Sequence, residues 1–132
     1  MKRRSTLVLL ELLMMTAVFA LAAAFCLQVF AEADRMSRNT LHRDQAVRIC
    51  ENTAETIKIT GSVSAAAHAL GAAEQDGCWQ LTIADGEDLF LLEMEVKEAP
   101  VPGMGAAEVR VFRSCDGVLL FRIPVGYQEV AP

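Results

Sequence analysis

One acid interrupts the most apolar part of this chain. Residues 6–31, TLVLLELLMMTAVFALAAAFCLQVFA, carry Glu11 as their only formal charge, and Thr16 and Gln28 are the only other clearly polar interruptions. A carboxylate in such a run is a charge that needs a partner. At a bilayer centre it costs a few kcal/mol or more, and close to the interface much less. Glu11 lies five residues into the run, about 8 Å along a helix. There it can snorkel, or pair with Arg4, which lies seven residues earlier on the same helical face.

The other residue types that could do chemistry do not assemble into a reactive pattern. His42 and His68 are far apart in the chain and have no Cys or carboxylate at metal-ligand spacing. They are expected to be exposed helical histidines. Ser62 and Ser64 lie near His68, but their Ala-rich surroundings offer no orienting acid and no oxyanion-hole signature. Glu93 and Glu95 fall on alternate positions of a strand and are expected on its solvent face, while Glu87 and Asp88 sit at a turn. The glycines make no phosphate-binding pattern. The expectation is a protein without catalysis, cofactor or metal. Of the cysteines, Cys26 falls inside the apolar run, where it packs as a small hydrophobe. Cys50, Cys78 and Cys115 contain no C-x-x-C. If one disulfide forms, Cys50 with Cys78 is the first pairing to test, because the helix and the first strand should pack together.

The elements that must position these residues follow from pattern. Residues 1–5 are a basic leader with Lys2, Arg3 and Arg4. The 26 residues that follow span about 39 Å as a helix, more than the ~30 Å of a hydrocarbon core. A single spanning helix at 6–31 is therefore expected, with the N-terminus cytoplasmic by the positive-inside rule and the remainder extracytoplasmic. A cleaved signal peptide is the competing reading, with Ala31-Glu32-Ala33 as its A-x-A site and Asp34 as the mature N-terminus. The apolar run is about twice the ~7–15 residues of an h-region. A lipoprotein is excluded more firmly, because Phe25 precedes Cys26 where a small residue is needed.

Residues 32–60 continue as a helix, since no Gly or Pro occurs before Gly61. Val47, Cys50, Ala54 and Ile57 fall at spacings of three, four and three, a narrow apolar stripe on a helix with five acidic and five basic groups. Residues 61–77 hold a short helix, capped by Ser62 and closed by Gly71, and a connection. From 78 to 132 the period becomes two. CWQLTI and LFLLEMEVK flank Asp85-Gly86, and EVRVF and VLLFRIPVGY flank Asp116-Gly117. Phe90, Leu92, Met94 and Val96 share one face, and Leu119, Phe121, Ile123 and Val125 another. APVPGMGA, with two prolines and two glycines, is expected to be a loop. The fold class is thus α+β: a long N-terminal helix packed on a four-stranded antiparallel sheet, whose apolar face the helical stripe covers.

Residues 61–132 carry four basic and eleven acidic groups, a net of minus seven, and no basic patch interleaved with aromatics. Direct nucleic-acid binding is disfavoured, and a protein partner is the natural expectation.

This order of parts resembles type IV pilin-like proteins, and most closely the pseudopilins of type II secretion systems. Ser5-Thr6-Leu7-Val8 is similar to the family's start of the mature helix, and Glu11-Leu12-Leu13 to its Glu-Leu-Leu. The leader is divergent: the prepilin glycine before the cleavage point is missing, and Leu9 and Leu10 separate the two motifs. The resemblance implies a membrane-anchored assembly subunit of a secretion or pilus system, with other pilin-like subunits, the assembly machinery and membrane lipid as partners. It implies that Glu11 pairs with the N-terminal amine of a neighbouring subunit and sets axial register. The alternatives are a membrane-tethered extracytoplasmic binding or sensing module that does not polymerise, and a secreted protein.

Overall fold

The computed structural model describes residues 2–130. Helix α1 runs unbroken over Lys2–Thr60. Its first part is rich in Ala, Leu and Met, strong helix formers, and no Gly or Pro interrupts it. Thr16 donates its hydroxyl to the Leu12 carbonyl at 2.7 Å, which satisfies that polar group within the helix itself. The chain divides into two compact parts between Thr40 and Leu41. In the first part every described residue is exposed.

The second part begins with the last turns of α1. Gly61 ends the helix at φ 68°, and its amide closes on the Ile57 carbonyl at 2.9 Å. Helix α2, Val63–Leu70, follows as expected: Ser62 caps it in extended geometry and Gly71 closes it at φ 79°. Five strands complete the fold: β1 Ala73–Gln75, β2 Cys78–Asp85, β3 Asp88–Lys97, β4 Met104–Arg113 and β5 Leu119–Gln128. They form one antiparallel meander in the order β1-β2-β3-β4-β5.

The sheet therefore has five strands rather than the expected four. The additional strand, β1, is three exposed residues hydrogen-bonded to β2 through the turn Asp76-Gly77, which takes φ 52° and 79°. Its residues bury nothing, so no alternation of apolar and polar types announces it. A second correction concerns 104–106, expected in a loop. Met104, Gly105 and Ala106 are the first residues of β4, with Gly105 opposite Tyr127. A Cβ at Gly105 would stand 2.2 Å from the Tyr127 ring, so this glycine serves close packing within a strand.

One sheet face forms the core. Leu81, Leu92, Val111 and Phe121 lie in one cross-strand row, and Trp79, Met94, Val109 and Ile123 in the next. Phe90, Leu92, Met94, Val109 and Val111 are fully buried, whereas Leu81 and Phe121 are half-buried against them. Val96 shares the inward register but stands 57% exposed, because it lies near the end of its strand. Leu119 leaves the expected face altogether. A β-bulge between Val111 and Phe112 pairs Leu119 with Phe112 on the outer face and hands Leu120 to the core. Pro124 lies on β5, the last strand of the order.

The helical cover is wider than one stripe. On α1, Ala46, Cys50, Thr53, Ala54 and Ile57 are buried, with Val47 only half-buried. Helix α2 adds Val63, Ala66 and Ala67 to the same core, so two helices share a task expected of one.

Candidate functional site

Two places combine exposure with chemistry: the apolar part of α1 and a recess at one end of the sheet. In α1 an 18-residue window reaches a mean hydropathy of 2.4 and none of it is buried, which makes this a helix long and apolar enough to cross a membrane. Leu9, Leu13, Phe19, Phe25 and Phe30 are all exposed. Glu11 lies among them, also exposed, as does Arg4. Among the described residues these two side chains do not meet in an ion pair; the pair on α1 outside the sheet-covered part is Arg38 with Asp34, at 3.2 Å.

The recess, of about 300 Å³, is lined by His42, Glu87, Asp88, Arg113, Ser114 and Cys115, with Leu89 and Phe90 as its apolar wall. Residues from the start of the covered helix, the β2–β3 turn and the β4–β5 turn meet there. Counting from Lys2, His42 is the first residue of α1 that is not exposed. Its side chain is 17% exposed and stands edge-on to Phe90, with ring centroids 6.3 Å apart. His42 Nε2 lies 3.2 Å from Asp88 Oδ2, and His42 Nδ1 lies 3.4 Å from Arg113 Nη1. A guanidinium can only donate, so Nδ1 accepts; the ring proton is then on Nε2 and points to Asp88. This tautomer is assigned from the partners. Arg113 also donates from Nε to Asp116 Oδ1 at 3.1 Å. Desolvation alone would raise the Asp116 carboxyl, but hydrogen bonds from the Val118 amide and Arg113 outweigh it and hold the group below its ordinary range.

His42 is thus not the exposed helical histidine expected, and Asp88 does more than close a turn. Residues 42, 88 and 113 lie too far apart in sequence for any spacing rule to join them. The arrangement sets an acid and an imidazole 3.2 Å apart, the residue types of the first two members of a catalytic triad. The nitrogen that would take a proton from Ser114 or Cys115 is occupied by Arg113, so the ring is committed to holding the two turns.

The remaining expected positions resolve as structure. Ser62 accepts from the Ala65 amide as the cap of α2 and shares a hydrogen bond with Ser64 at 2.9 Å. His68 stands edge-on to Trp79 at 5.2 Å. Glu93 and Glu95 lie on the outer sheet face as expected. Gln80 Nε2 donates to Glu93 at 3.0 Å, and Arg110 Nη2 to Glu95 at 2.9 Å. A hydrogen bond from Lys97 is the largest influence lowering the Glu95 carboxyl; desolvation opposes it, and the charges of Lys97 and Arg110 add to it. Arg110 stands between the two acids, with Nη2 2.9 Å from Glu95 and Nε 3.7 Å from Glu93, so one cation serves both.

Among the described residues all four cysteines are free, Cys50 and Cys78 included. Helix and strand do pack, but Cys50 points into the core while Cys78 shares its face of β2 with Gln80, away from Trp79 and Leu81. Burial, with the Glu51 charge adding to it, pushes the Cys50 thiol up to about 12, so it stays protonated and unreactive. Among the described residues no group of three or more His, Cys, Asp or Glu could hold a metal ion. No protein-family model, curated protein or solved structure matches this chain.

Proposed function

We propose that this chain is a membrane-anchored, pilin-like assembly subunit, most similar to the pseudopilins of secretion systems. One observation carries the reading: α1 is a single helix whose apolar side chains before Leu41 are all uncovered, while after His42 the face made by Ala46, Cys50, Ala54 and Ile57 is buried. Apolar surface of that extent needs a non-aqueous neighbour, and lipid and sister helices both qualify. The basic leader favours a cytoplasmic N-terminus and an extracytoplasmic sheet domain. Ala31-Glu32-Ala33 lies inside the unbroken helix, which favours an anchor retained over a leader removed. In this reading the chain is not an enzyme. Its partners are like subunits, assembly machinery and lipid, and its acidic domain does not bind nucleic acid.

Glu11 gives the test. A carboxylate that a neighbouring subunit must satisfy makes anchoring and assembly respond oppositely to its removal. Glu11→Gln should anchor at least as well as wild type and assemble less well. Glu11→Ala, which removes the desolvation penalty, should anchor better still and assemble worst. Cysteines placed along 6–31 in a Cys26→Ser background, crosslinked in cells, measure assembly; alkaline extraction of membranes measures anchoring. Unchanged crosslinking in both variants would leave a tethered module that does not polymerise. Recovery of soluble protein starting near Ala31 or Asp34 would leave a secreted one.

A further inference from the structure

His42 joins three elements through one ring. It stands where α1 first meets the rest of its compact part, and it touches the first residue of β3 and the last residue of β4. The Arg113 contact requires the neutral imidazole: the Nδ1 lone pair accepts from Arg113, and the ring proton on Nε2 faces Asp88 Oδ2 at 3.2 Å. Imidazole is the side chain whose ordinary titration falls between about pH 5 and 8. A proton added to the ring goes to Nδ1, the nitrogen that faces the guanidinium. There it converts an acceptor into a donor and sets two cations against each other. On the other side the same proton turns a neutral contact with Asp88 into a charge-assisted one.

We propose that His42 is a proton-operated clasp: neutral, it ties α1 to both hairpins, and protonated, it keeps Asp88 and releases Arg113. The charges around the ring favour this outcome over a general loosening. Asp88 and Glu87 face it from the β2–β3 side, and Arg113 from the β4–β5 side. Arg113, once displaced, keeps Asp116 and so has a place to go. Cys115 is the remaining titratable group in the recess, and Arg43 and Asp44, next to His42 on α1, are both exposed. The backbone tie from the Ser114 amide to the Leu89 carbonyl, 3.0 Å, does not involve the ring and keeps the sheet itself in register. What acid frees is the Arg113 side chain; the turn beyond it keeps its own bonds, from the Gly117 amide to the Arg113 carbonyl at 2.8 Å and from the Arg113 amide to the Val118 carbonyl at 2.9 Å. The clasp lies wholly within the second compact part and does not depend on whether the chain assembles.

The full chain in detergent micelles provides the test, by nitrogen NMR of the ring and proton exchange of the Arg113 guanidinium. At neutral pH the His42 ring should show the Nε2–H tautomer. On acidification its protonation should coincide with a shift of the Arg113 guanidinium signals. Exchange of the Arg113 guanidinium protons, corrected for the intrinsic rate, should rise several-fold while amides of β3 and of the turn stay unchanged. His42→Gln keeps a donor and an acceptor but cannot be protonated, so its Arg113 guanidinium should show no such rise on acidification. An Nδ1–H tautomer at neutral pH overturns the proposal without any variant. So does an acid response of equal size in wild type and His42→Gln, or an Arg113 signal that ignores the ring's titration.

Discussion

Up to Leu41 and from His42 onward, α1 is the same helix with two different distributions of apolar side chains. Before Leu41 they surround the helix, and every one of them is exposed. After His42, Ile59 apart, they narrow to the face made by Ala46, Cys50, Ala54 and Ile57, and that face is buried. A helix apolar all round is suited to a surrounding apolar phase, and one with a single stripe to a single covering partner. Backbone continuity therefore says nothing about which solvent a segment is built for; the angular spread of its apolar residues does.

Two phenylalanines make the contrast measurable. Phe90 is 0% exposed beneath the helices and Phe19 is 77% exposed on α1. Phe90→Ala should reduce the unfolding free energy of the sheet-containing part by about 3–5 kcal/mol. Phe19→Ala should leave it unchanged. Denaturant titration of the full chain in micelles, followed by the single tryptophan, Trp79, reads both. Equal effects would mean that the two regions do not fold as separate parts.

Two thiols sharpen the comparison by pH. Cys50, in the covered part, goes from an ordinary 9.0 to about 12 through burial and the neighbouring Glu51. A folded pKa raised above the unfolded one contributes stability that is complete below the unfolded value and is lost as pH rises toward the folded value. Stability should therefore fall between about pH 9 and 12, by on the order of a few kcal/mol at the top of that window. Cys50→Ala should start lower, because it leaves a cavity, and decline less steeply. Tyr127, raised by burial and by Glu129, adds a decline in the same direction that Cys50→Ala does not remove. Cys26→Ala, in the exposed part, should leave the wild-type slope.

Two glycines of the β4–β5 pair give the smallest effect. Gly105→Ala drives a methyl into the Tyr127 ring and should destabilise by about 1–3 kcal/mol. Gly126→Ala meets nothing within 4 Å and should be close to neutral. Tyr127→Leu in the Gly105→Ala background should recover part of the loss, since the conflict lies with the ring.

What could be read from sequence was whatever depends on neighbours along the chain. The helix to Thr60, the cap at Ser62, the stop at Gly71 and both Asp-Gly hairpins follow from local propensity and turn geometry, and so does the inward face carrying Phe90, Leu92 and Met94. A third such signal, Asp76-Gly77 immediately before Cys78, was equally local and marks the turn into β2 that reveals β1. Tertiary structure decided what depends on distant pairings. The bulge opposite Val111 and Phe112 reversed Leu119, because side chains alternate and one extra residue changes the face. The orientation of β2 separated Cys78 from Cys50 although their elements pack, since a strand offers each side chain one face only. The meeting of His42, Asp88 and Arg113 required the helix, one hairpin and the other to be in register together. No spacing along the chain encodes that coincidence, because a site built from three separate elements exists only once their packing is fixed.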